Sequence, residues 1–155
     1  MKRRFIKITA LLLILAACLS ATACAKKLAI DGEDMNWQLV IISSDKTGKV
    51  IYCSAEYKIA YPDAEILDLS CRASDGKFVI TDKKTDIGYL GTYSVAEAGR
   101  KQTSYTIVMT GENGKIDGRA EISEATLHDE SLEYNLIIMI DGYTLNFKSV
   151  VPRNE

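Results

Sequence analysis

The sequence predicts an all-β fold: a single antiparallel meander β-barrel of about eight to nine strands, preceded by an export signal. Three observations carry this prediction. Short segments with apolar residues at every second position recur between Asn36 and Val150, the pattern of half-buried strands. Asp-Gly and Asn-Gly pairs stand between those segments, as tight hairpins require. No long segment of helical period interrupts them. Closure into a barrel is expected because it removes the open edge strands that invite aggregation.

The N-terminus is read first. Lys2, Arg3, Arg4 and Lys7 precede an apolar run from Ile8 to Ala17, the charged and hydrophobic regions of a secretory signal. The run is about ten residues, too short for a helix that must cross roughly 30 Å of hydrocarbon. Residues 1–17 are therefore assigned as signal peptide, 18–35 as a lipid-anchored linker, 36–150 as the barrel domain and 151–155 as a tail. Removing residues 1–17 takes four of the 19 basic residues and none of the 21 acidic ones, leaving 15 against 21 and a net charge of −6. Nucleic-acid binding needs clustered Lys and Arg to displace counterions, and only Lys26-Lys27 remains as a basic run, so that class is excluded.

The signal contains two cysteines. Leu15-Ala16-Ala17-Cys18 resembles the lipobox of bacterial lipoproteins, in which a peptidase cuts before a cysteine that carries diacylglycerol. The resemblance implies a diacylglyceryl anchor on Cys18, membrane lipid as a partner, and a location at the outer face of the bacterial cell membrane. Ala21-Thr22-Ala23-Cys24 lacks the leucine three residues before its cysteine and also reads as an ordinary small-x-small cleavage site. Cys24 stands as the alternative lipid site, and release without lipid as a third outcome. "CAKKLAIDGED", with its Asp31-Gly32 turn pair, reads as a polar spacer, and the folded domain is expected to start near Asn36.

The strands follow in order. In "NWQLVII", Trp37, Leu39 and Ile41 share a face. In "KVIYCSA", Ile51, Cys53 and Ala55 do. In "ILDLSCRA", Leu67, Leu69, Cys71 and Ala73 alternate with Asp68, Ser70 and Arg72. "KFVITD" is a short strand of ambiguous facing. Ile87, Tyr89, Tyr93 and Val95 share a face in "IGYLGTYSV", and Tyr105, Ile107 and Met109 in "SYTIVMT". "GRAEISEA" turns Ala120 and Ile122 inward. In "LEYNLIIMI", Leu132, Tyr134, Leu136, Ile138 and Ile140 share a face, and in "YTLNFKSV", Tyr143, Leu145 and Phe147 do. Hairpins are expected at Lys46-Thr47-Gly48, Asp75-Gly76, Asn113-Gly114 and Asp141-Gly142. "SAEYKIAYPDAE" reads as a helical turn or a loop over a barrel mouth, and "AEAGRKQ" as a loop.

Cys53 and Cys71 fall on the apolar sides of their strands. An exported chain meets a thiol-poor exterior, so a Cys53–Cys71 disulfide is expected, closing a loop of about 18 residues and contributing on the order of 3 kcal/mol. The competing reading is a pair of buried small hydrophobes. There is no Cys-x-x-Cys pair or Cys/His cluster of zinc-site spacing.

Trp37 on the first strand, Gly91-Thr92-Tyr93 in mid-domain and the last hairpin "DGYTLNF" together resemble the small bacterial lipocalin-like, or calycin-type, lipoproteins over about residues 35 to 150. The resemblance implies a barrel that can hold a ligand. It also implies a basic residue, Lys148 or Arg153, stacked on Trp37. The lipocalin Gly-x-Trp is absent, since Met35 stands two residues before Trp37, and no C-terminal helix follows the last strand.

Catalytic signals are sparse. The one histidine, His128, sits in "TLHDESLEY" beside Asp129 and Glu130 and reads as a solvated turn. No serine lies in a nucleophile motif, and no phosphate loop or metalloprotease helix appears. Asp31, Glu33 and Asp34 lack the spacing of a calcium loop. Neither an enzyme, nor a cofactor, nor a metal site is expected. The aromatic residues are the stronger lead, because tyrosines offer apolar bodies with polar tips. Trp37, Tyr89, Tyr93, Tyr105 and Tyr134 form the candidate site for a small apolar or amphipathic ligand. The same rings, with Tyr143 and Phe147, could instead fill the interior. The chain would then act as an interaction or inhibitor protein through its exterior or loops.

Overall fold

Alternation along the chain becomes strand pairing over most of the described residues. The computed structural model describes residues 28–32, 35–99, 101–111, 114–128 and 131–151. The signal, both lipobox cysteines, Cys18 and Cys24, and Arg153 lie outside the described residues. Ten strands follow in order: β1 Trp37–Ser44, β2 Val50–Cys53, β3 Glu65–Ile66, β4 Leu69–Ser74, β5 Lys77–Asp82, β6 Ile87–Ala98, β7 Gln102–Gly111, β8 Gly114–Thr126, β9 Leu132–Ile140 and β10 Tyr143–Val151. A 3₁₀ turn, Ala55–Tyr57, is the one helical element among the described residues. β4 to β10 pair antiparallel with their sequence neighbours, and β1 pairs with both β4 and β10. The result is a closed eight-stranded barrel.

Hairpin chemistry sets these pairings. Asp75 and Gly76 have φ of 51° and 74°, and Asp141 and Gly142 have 51° and 77°. Two consecutive positive φ values match a primed turn to the right-handed twist of its strands, and Asp-Gly adopts them with little strain. Register then follows, with Ser74 opposite Lys77 and Tyr143 opposite Ile140.

β1 is where the structure departs from simple alternation. Its pairing with β10 is shifted between Leu39 and Ile41, so Leu39 faces Phe147 while Ile42 faces Leu145. The bulged residue, Val40, resets the phase of the strand. Trp37, Leu39 and Ile42 are buried inside, and Ile41, expected inward, faces out. The bulge sits where β1 changes partner on one edge, from Gln38 on β4 to Ile41 on β2. The segment expected as one strand, "ILDLSCRA", accordingly splits into β3, which pairs parallel with β2, and β4, which joins the barrel.

The same bulge corrects the disulfide. Cys53 pairs with outward-facing Ile41, whereas Cys71 pairs with inward-facing Trp37. The two thiols therefore lie on opposite faces of the sheet. Their partners are four residues apart on β1, roughly 13 Å at strand spacing, while a disulfide needs Cα atoms within about 7 Å. Both cysteines are buried free thiols. Burial pushes the Cys71 thiol up to about 12.

The folded body also begins earlier than Asn36. Leu28 and Ile30 are buried among Trp37, Phe147 and Tyr105 in the core. Residues 28–32 thus cross the end of the barrel where β1 starts, which we term the lower end. This segment is part of the fold and not a free spacer.

Candidate functional site

The inward faces divide the barrel into two halves. An eight-stranded barrel is just wide enough to be filled by side chains or to hold one small ligand, and this one is filled in one half and open in the other. The lower half is filled. Trp37 Nε1 donates to the Ile30 carbonyl at 3.0 Å. The Ile30 amide donates to the Tyr105 hydroxyl at 3.0 Å, and that hydroxyl donates to the Leu28 carbonyl at 3.5 Å. Tyr93 donates to Asp31 Oδ2 at 2.8 Å and packs edge-on against Tyr105, with ring centroids 5.6 Å apart. Burial, and then the bond to Asp31, push the Tyr93 hydroxyl up to about 12. Phe78 fills the middle because Gly91 stands opposite it, and any side chain at Gly91 would meet the Phe78 ring.

The upper half is open. A cavity of about 420 Å³ enters the barrel between the β1–β2, β7–β8 and β9–β10 connections. Its wall is formed by Ile42, Ile51, Met109, Ile116, Ile140 and Leu145. Its lining residues with polar side chains are Tyr52, Tyr89, Tyr143, Thr110 and Asp141, the last exposed in the β9–β10 turn. Tyr89 and Tyr143 stand at the mouth, 48% and 42% exposed. A concave, mostly aliphatic chamber with few polar groups is the usual architecture of a small-molecule site, and the volume lies in the usual range.

The ligand residues expected from the sequence are thus divided. Tyr89 lines the cavity. Trp37, Tyr93 and Tyr105 instead grip the chain's own residues 28–31, and Tyr134 packs against the core without lining the cavity. What strand periodicity misses is height along the barrel. It reports which side of a strand faces in, but not which inward residues lie beside the mouth. Tyr52, Met109, Ile116 and Tyr143 share only their nearness to turns at one end, and that shared nearness was the available signal.

Of the two basic residues expected on Trp37, Arg153 lies outside the described residues and Lys148 lies elsewhere. Lys148 is on the outer face, since Phe147 points in. Its ammonium lies 5.0 Å from the Tyr57 ring centroid, donates to the Tyr57 hydroxyl at 2.9 Å and pairs with Glu56 at 3.2 Å. Burial works to lower its pKa, but the bonds to Tyr57 and Glu56 outweigh burial and hold it above the ordinary lysine value. These contacts clamp the 54–66 segment to the barrel wall. His128 is exposed in the β8–β9 connection at the lower end, away from the cavity. Among the described residues no three His, Cys, Asp or Glu side chains group as metal ligands.

No family model matches the chain, and no characterised protein or solved structure does either.

Proposed function

We propose that this chain is an exported, lipid-anchored, lipocalin-like barrel that holds a small apolar or amphipathic ligand in its upper half. The observation that carries the reading is the aliphatic cavity of about 420 Å³ at one barrel mouth, backed by a filled lower half. The signal and the lipobox-like Leu15–Cys18 support export and anchoring. Leu28 lies at the end of the barrel opposite the cavity. The competing reading, a protein acting through its exterior, calls for a barrel filled from end to end, and the open upper half weighs against it.

The test is binding of the neutral probe N-phenylnaphthylamine, followed by its fluorescence, to the purified domain and to Ile116→Trp and Met109→Phe variants. Each substitution puts bulk into the cavity. Saturable binding that both variants weaken tenfold or more supports the reading. Absence of binding to the parent protein, or binding indifferent to both variants, overturns it. Palmitate labelling of Cys18→Ala and Cys24→Ala variants tests the anchor. One of the two must lose label, and label retained in both removes the lipoprotein assignment.

A further inference from the structure

We propose that the ligand of the upper cavity carries a positively charged ammonium head on its apolar body. This rests on the reading of the cavity as a ligand site and adds the chemistry of the head group.

The charge around the cavity is one-sided. Among the described lining residues Asp141 is the only acidic one, exposed in its turn, and none is Lys, Arg or His. The two ion pairs formed among the described residues, Lys83–Asp68 and Lys148–Glu56, leave Asp141 without a cation. Asp45, close by in the β1–β2 connection, differs: its amide donates to the Gly142 carbonyl and its carboxylate accepts from Thr144 at 2.7 Å. Asp141 is also held in place. It is the first residue of a two-residue turn, with φ 51°, and the β9 and β10 pairings fix the backbone on both sides.

The aromatic groups agree with this. Tyr89 and Tyr143 are half exposed at the mouth and Tyr52, also lining the cavity, is partly buried. The face of a tyrosine ring attracts a cation, and quaternary ammonium groups are recognised by such rings. An alkylammonium can therefore place its chain among Ile42, Ile116 and Leu145 and its head among Tyr89, Tyr143 and Asp141. A carboxylate head on the same chain would meet Asp141 as a like charge near a low-dielectric wall, which disfavours it. The net negative charge, −2 for the full chain and −6 without residues 1–17, acts in the same direction at long range.

The experiment compares three probes of equal tail length, octyltrimethylammonium, octanol and octanoate, by titration calorimetry against the parent protein and Asp141→Asn. Asn tolerates the positive φ of this turn, so the hairpin is kept. The expected order is octyltrimethylammonium about tenfold tighter than octanol, with octanoate weakest. Asp141→Asn is expected to bring the cation within about threefold of octanol while octanol itself is unchanged. Asp45→Asn removes an acid from the same rim and is expected to leave all three affinities within twofold. Octanoate binding as tightly as the cation, or Asp45→Asn acting as Asp141→Asn does, overturns the head-group assignment while leaving the cavity reading standing. Failure of all three probes overturns both. Phosphatidylcholine vesicles separate two sources of the head. Capture by vesicles assigns it to a membrane lipid, and no capture with octyltrimethylammonium still bound assigns it to a free amphiphile.

Discussion

At the scale of single residues, the lower half depends on hydroxyl and indole groups that reach the chain's own N-terminal segment. Tyr105 is 2% exposed and links Ile30 to Leu28. Tyr105→Phe keeps the ring but leaves the Ile30 amide buried and unpaired, and we expect a loss of about 1–3 kcal/mol in urea unfolding. Tyr93 yields a pH prediction. Its folded pKa of about 12 lies above the ordinary tyrosine value of about 10. Its contribution is therefore complete below pH 10 and is lost as pH rises toward 12. Unfolding free energy measured across that interval should fall less steeply in Tyr93→Phe than in the parent, and an identical alkaline slope would remove this role. For the buried thiols, a thiol reagent should modify neither Cys53 nor Cys71 at neutral pH until the protein is unfolded, and both afterwards. Gly91→Ala forces the Phe78 ring aside, and about 1–3 kcal/mol of destabilisation is expected from overpacking.

At the scale of elements, most of the fold could be read from the sequence. Asp75-Gly76 and Asp141-Gly142 fix their hairpins by local turn chemistry, and "KFVITD", "LEYNLIIMI" and "YTLNFKSV" become strands close to the expected bounds. Two non-local effects were out of reach of periodicity. One is the β1 bulge, which arises because β1 changes partner between β4 and β2 and which puts Ile42 inside in place of Ile41. Its consequence is the separation of Cys53 from Cys71 to opposite faces. The other is the entry of residues 28–32 into the core, since "LAIDG" is too short to show a period. The segment's contribution can be measured directly. Ile30→Ala, at a site buried to 1% exposure, should lower stability by about 2–5 kcal/mol while leaving N-phenylnaphthylamine binding at the mouth unchanged. The clamp on the outer wall is weaker. Lys148→Met removes a partly exposed ion pair, worth about 1 kcal/mol or less. Faster hydrogen exchange of the Ala60, Tyr61 and Ala64 amides should reveal it, with little change in global stability.

At the scale of the whole molecule, the account divides one barrel into a sealed half and an open half. The aromatic inventory pointed to the interior correctly, but it did not tell the two halves apart. The most deeply buried rings, Trp37, Tyr105 and Phe147, went to sealing. The aliphatic wall of Ile42, Ile116 and Leu145 was left for the chamber. The two halves should therefore respond independently: destabilising the lower end should shift unfolding without altering ligand affinity, and filling the chamber should do the reverse. The most direct measurement is a methyl-labelled NMR titration with octanol. The account predicts saturable shifts confined to the methyls of Ile42, Met109, Ile116, Ile140 and Leu145, with those of Ile30, Ile122 and Leu136 unmoved. Shifts centred on Ile30 and Leu136, or no saturable shift at the upper methyls, would contradict it.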